Sequence, residues 1–157
     1  MNMNTELAQG GHLDAEAAKV SQKAQKAQKE SQNFENDLSH AVIGAAVEVQ
    51  RVLGTGLLES AYSAALAIEL SEREIGFERE VEVPALYRGR PLGTGYRADF
   101  IVERALIVEV KAIDIVLEVH RAQLLTYLRL ANLKLGLLVN FHIFPVVKGV
   151  HRMVNKL

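Results

Sequence analysis

The stretch GYRADFIVERALIVEVKAID, residues 95–114, decides the fold of this chain. Two apolar runs, YRADFIV and ALIVEVKAI, are separated by a short polar gap, a pattern that predicts an antiparallel hairpin. The second run is the most hydrophobic strand of the sequence, yet Glu109 and Lys111 stand inside it two residues apart. Successive side chains on a strand point to opposite faces. Leu106, Val108, Val110 and Ala112 therefore share one face, and Ile107, Glu109, Lys111 and Ile113 the other. A three-residue connection, Glu103–Arg104–Ala105, sets 102 opposite 106 and 99 opposite 109. Asp99 and Glu109 then face each other with Cβ atoms about 4.5–5.5 Å apart. A two-residue turn would instead place them on opposite faces.

Directly opposed carboxylates repel, and a purely structural site avoids them. A divalent cation removes the repulsion. Asp99, Glu109, the main-chain carbonyl of Val110 and water form the hard-oxygen set that Mg²⁺ or Mn²⁺ prefers. Lys111 on the same face keeps its proton beside them and can orient an attacking water or stabilise charge growing on phosphorus. The plain alternative is a half-solvated strand carrying an i, i+2 ion pair on its wet side, which contributes only about 0–1 kcal/mol.

Around this hairpin the chain alternates helices and strands. LSHAVIGAAVEVQRVLG, from Leu38, carries a helical apolar stripe ended by Gly54. Thr55 is placed to cap a second helix, LLESAYSAALAIELSERE, closed by Gly76. FEREVEVPALY alternates, and Pro84 makes it an edge strand. Arg88-Gly89 reads as a turn and RPLGTG as a loose connection. After the hairpin, EVHRAQLLTYLRLAN forms a third helix, LGLLVNF a strand buried on both faces, and GVHRMVN a last edge strand. The expected order is ααβββαβ(β), an α/β fold with a mixed sheet flanked by helices, over residues 38–157. Residues 1–37 are polar, with a net charge of −2, and read as a mobile or loosely helical extension with almost no large apolar residue to bury.

At 157 residues the chain can hold one domain with a substantial core. It has no cysteine, which excludes disulfides and thiolate metal sites. No apolar run reaches the roughly 18 residues of a membrane helix, and the N-terminus lacks signal-peptide features. A cytoplasmic protein with no membrane partner is the expectation. With a net charge of −1, a polyanion has to be held by local basic patches. Arg88, Arg90 and Arg97 flank a glycine-containing loop, and Arg121, Arg129 and Lys134 lie on or after the third helix. The five histidines show no ligand-like spacing for zinc.

Asp99…Glu109-Val110-Lys111 resembles the core of the PD-(D/E)xK nuclease superfamily. Gly56-Leu57-Leu58-Glu59-Ser60-Ala61-Tyr62 matches the Gly-x-x-Glu-x-x-Tyr signature of its GxxExxY family, and the similarity covers most of residues 38–157. The superfamily's proline before the aspartate is Ala98 here. The resemblance implies a restriction-endonuclease-like fold and a metal-dependent phosphodiesterase, with Asp99 and Glu109 as ligands and Lys111 as the catalytic lysine. It also implies that Glu59 faces the metal. From the residues alone, Glu59 lies at the edge of the second helix's buried stripe, where a solvated carboxylate is equally compatible, and Tyr62 reads as core. Gln123 and Tyr127 resemble the Gln-x-x-x-Tyr motif of RecB-like branches, which implies contact with substrate or the catalytic groups; a core amide is the alternative for Gln123. His120 reads as a helix-start residue.

Two functions follow. One is a Mg²⁺- or Mn²⁺-dependent nuclease acting on nucleic acid, DNA first. The other is a catalytically silent nucleic-acid-binding or protein-interaction module on the same fold. A domain this small has little surface for gripping a duplex alone, so a homodimer is the expected assembly.

Overall fold

The computed structural model describes residues 10–156, apart from the side chains of residues 10–13 and of Thr94. The chain divides into two compact units, Met1–Asn36 and Asp37–Leu157. Helix α1, Gly10–Leu53, is continuous from the polar extension into the helix expected from Leu38. Ala, Gln, Lys and Glu favour helix, and no Gly or Pro interrupts residues 12–43. Contacts one turn apart, such as Ser31 to Glu35 at 3.2 Å and Lys26 to Glu30 at 3.9 Å, line the solvated part. The portion of the sequence before Gly10 lies outside the described residues.

In the second unit, α1 is followed by α2 (Glu59–Glu72), β1 (Phe77–Tyr87), β2 (Arg90–Val102), β3 (Leu106–Lys111), α3 (Glu118–Ala131), β4 (Leu135–Asn140) and β5 (Val150–Val154). The five strands make one mixed sheet in sequence order, with β1 and β5 at its edges. Neighbours are antiparallel except β3 and β4, which run parallel and use α3 as the crossover that such pairing needs. Leu106, Val108 and Val110 join Val42, Val49, Tyr62, Leu66 and Phe141 in one core cluster, on the α1 and α2 side. Ile107 joins Leu124, Leu128 and Leu138 in the other, under α3. Both faces of β3 are covered, so the half-solvated strand does not occur. No described helix is long and apolar enough to cross a membrane.

The β2–β3 connection has three residues, and the register pairs Phe100 with Val108, Ile101 with Ile107 and Val102 with Leu106. Arg88 and Gly89, both at positive φ, form the tight β1–β2 turn.

Two local expectations fail. Thr55 does not cap α2, whose N-cap is Leu58 without a side-chain bond. Gly54 and Gly56 take positive φ and turn the chain before the helix. The Tyr62 hydroxyl holds that turn instead, accepting from the Leu57 N–H at 3.2 Å and donating to the Gly54 carbonyl at 2.8 Å. Nor is RPLGTG a loose connection. It belongs to β2, with Leu86 opposite Pro91 and Tyr87 opposite Arg90. A projecting two-stranded ribbon tolerates the Pro and Gly that a central strand refuses.

Candidate active site

The site begins where β2 parts from β3. Side-chain alternation along β2 slips by one residue at Asp99: Phe100 and Val102 pack on the α1 and α2 side, whereas Ala98 packs under α3. The regular β2–β3 pairing ends at Phe100 and Val108. Beyond it, side chains take over from the ladder. The Asp99 N–H donates to Glu109 Oε1 at 3.1 Å, and the Val110 N–H donates to Asp99 Oδ2 at 2.8 Å. The two carboxylates are thus fixed beside one another by reciprocal backbone bonds. In a strand the N–H and C=O of one residue point to the same edge, so the Val110 carbonyl also faces this gap.

Glu109 is only 6% exposed. Burial first, and the neighbouring Asp99 charge second, push its carboxyl up to about 8. The Asp99 N–H and Lys111 oppose that shift without cancelling it. A buried carboxylate beside a second one is short of positive charge, which is the condition a cation relieves.

Lys111 ends β3 half-buried, with Nζ 4.0 Å from Glu59 Oε1 at the start of α2. Glu59 therefore meets the lysine. Among the described residues no three His, Cys, Asp or Glu side chains converge as a metal cluster. The donor set that fits is the two carboxylates and the Val110 carbonyl, with water completing the shell. That composition suits Mg²⁺ or Mn²⁺, which retain several waters in protein sites.

Helix α3 closes one side. Gln123 Nε2 donates to the Tyr127 hydroxyl at 2.6 Å. Burial, then the Glu109 charge, raise the Tyr127 pKa, so the phenol stays protonated and keeps its O–H as a donor. His120 sits at the helix start, its Nδ1 accepting from the Leu117 N–H at 3.0 Å. Tyr62 is buried and stacks on Phe141 with centroids 4.6 Å apart. It belongs to the core and fixes the turn that leads to Glu59.

Tyr96 enters the site although the sequence did not single it out, and Asn140 supports the site from the end of β4. Tyr96 packs its ring 5.3 Å from that of Tyr127. Asn140, 1% exposed and paired with Lys111 across β3 and β4, clamps the segment after the lysine. Its Nδ2 donates to the Ile113 carbonyl at 2.7 Å, and its Oδ1 accepts from the Ile113 N–H at 3.1 Å. Asn140 ends an apolar strand, from which the sequence lets it reach the site while favouring a strand-end turn role, and its bonds go to the Ile113 backbone. For Tyr96 there was no signal, because its neighbour comes from a distant helix.

A family model described as the PD-(D/E)XK nuclease superfamily matches residues 36–153. No curated protein and no solved structure matches the chain.

Proposed function

Because the chain belongs to the PD-(D/E)XK nuclease superfamily, we propose that it hydrolyses phosphodiester bonds of nucleic acid, DNA first, with the help of a divalent cation. The observation that carries this reading is the pair of reciprocal bonds holding Asp99 and Glu109 together at the parting of β2 and β3. Asp99, Glu109 and the Val110 carbonyl would hold Mg²⁺ or Mn²⁺. When bound, such an ion lowers the pKa of water and neutralises charge on a phosphoryl group.

The chain's own groups supply the rest. Lys111, with Glu59 on one side and the carboxylates on the other, orients the attacking water and stabilises the negative charge that grows on the phosphate oxygens. The water oxygen forms the new P–O bond, its proton passes to solvent, and the bond to the departing sugar oxygen breaks as that oxygen takes up a proton. Asn140 fixes the backbone after Lys111 and so the position of its ammonium group. The Tyr127 hydroxyl, held by Gln123, offers a hydrogen bond to a phosphate or water at the same place.

The test is incubation of purified protein with plasmid, single-stranded DNA and RNA in Mg²⁺, Mn²⁺ or EDTA. Cleavage that requires the cation and disappears in the Lys111→Ala variant supports the proposal. Absence of cleavage on every substrate, or an equally active Lys111→Ala protein, leaves the silent binding module as the reading to pursue.

A further inference from the structure

Beyond the paired carboxylates, β1 and β2 continue as a two-stranded ribbon. Its charge is segregated. The first half of β1 carries Glu78, Glu80 and Glu82 against the single Arg79, whereas residues 84–97, PALYRGRPLGTGYR, carry Arg88, Arg90 and Arg97 and no acid. All three arginines are exposed, as are Tyr87 and Tyr96. Arg97 lies 3.7 Å from Glu80, a solvated pair at the ribbon's base. At the tip, Tyr87, Arg88 and Arg90 line one cleft, with the Arg88 guanidinium 5.4 Å from the Tyr87 ring centroid. Basic and aromatic groups meeting in one cleft, on a chain of net charge −1, match a partner with both phosphates and flat rings.

The ribbon is also aligned with the site. Asp99 lies on the same strand as Arg90 and Arg97, and Tyr96 touches Tyr127 beside the carboxylates. Val81 stands opposite Ala98, the neighbour of Asp99, in the register, and Tyr87 opposite Arg90. Six residues of β1 therefore separate the site from the tip, about 20 Å at the strand rise. At about 3.4 Å per nucleotide along a duplex, this is roughly six base pairs.

We infer that the β1–β2 ribbon is a nucleic-acid grip: Arg88, Arg90 and Tyr87 hold the sugar-phosphate backbone about six base pairs from the point of cleavage. The distance to the cleavage point rests on the nuclease reading; the binding itself does not. A protein partner is the competing occupant, given the exposed Leu86 and Leu92 beside the arginines. The absence of any acid among residues 84–97 and the guanidinium-lined cleft favour the polyanion.

The experiment is fluorescence anisotropy with a labelled DNA duplex of about 30 base pairs, long enough to span site and tip. It is run in EDTA so that no turnover is needed, across a salt series. The Arg88→Ala/Arg90→Ala variant should bind about tenfold or more weaker at low salt and lose about 2 from the slope of log K against log salt. Arg104→Ala/Lys156→Ala removes the same charge before β3 and after β5, at the end of the sheet away from the carboxylates, and should leave both unchanged. Circular dichroism checks that the exposed tip substitutions keep the fold. Unchanged binding in the tip variant, equal loss in the control, or no binding by the wild-type chain overturns the inference. So does a tip variant that only dissociates an oligomer in sedimentation. Binding through the tip without any cleavage supports this inference while sinking the nuclease reading.

Discussion

On its β4 side, strand β3 is paired at every position from Leu106↔Leu135 to Lys111↔Asn140, whereas on its β2 side regular pairing covers only Leu106 to Val108. Both neighbours are apolar strands of the same sheet, and Glu109 lies between them, opposite Leu138 on one side and Asp99 on the other. The β4 side holds the fold through continuous hydrogen bonding and buried leucines. The β2 side gives up its ladder for one stretch, where the Asp99 and Glu109 side chains take its place. On the proposed reading, stability and reactivity are divided across one strand.

Substitutions can break that division. The largest effect should come from the open side: Lys111→Ala is expected to lower cleavage about a thousandfold, or about 4 kcal/mol in the barrier, with the fold retained by circular dichroism. On the closed side, Leu138→Ala should lower the unfolding free energy by about 3 kcal/mol, read from a urea titration, while the folded protein keeps its cleavage rate. If the two variants exchange phenotypes, the division is wrong.

The pH dependence of the metal-free protein sharpens the comparison. Burial and Asp99 raise the Glu109 carboxyl in the folded state above its unfolded value. A raised pKa contributes stability that is full below about 4.5 and is lost as pH climbs through about 8. Asp99 from β2, Lys111 from β3 and Tyr127 from α3 are the titratable or charged groups that act on or share this site. The melting temperature in EDTA should therefore fall between pH 5 and pH 8, by about 2–3 kcal/mol of stability. Glu109→Gln should flatten the profile, and Mn²⁺ at pH 8 should restore the wild-type protein by binding the folded state alone. A flat wild-type profile would mean that Glu109 is better solvated or better paired than its burial indicates. The smallest effect belongs to the junction of the two sides. Asn140→Ala orphans the Ile113 N–H and carbonyl and should cost about 1–2 kcal/mol by urea titration. It should also slow cleavage, because the segment after Lys111 loosens.

The strands, their order and the hairpin register were legible in the sequence because they rest on local rules. Period-2 alternation places the strands, and a three-residue gap fixes which residues of β2 and β3 face each other. The superfamily was legible for the same reason, from short motifs at fixed spacing. The rest depends on contacts between distant segments. Nothing near Thr55 announces that a tyrosine seven residues later will hold the turn in its place. Nothing in RADF reveals the slip in facing at Asp99, where the ladder to β3 ends. Glu59 could be placed on a helix from its neighbours, but its meeting with Lys111 depends on where α2 lands. The proline and two glycines of residues 91–95 signal a coil by composition, and they are strand because the ribbon projects.

The reciprocal bonds between Asp99 and Glu109 have a further consequence. Each of these acids also sutures the seam where the sheet comes apart, so neither can be deleted without loosening the cloth around it. A substrate-trapping version of this protein should be made at Lys111, whose side chain takes no part in that seam, and the two acids should be left alone.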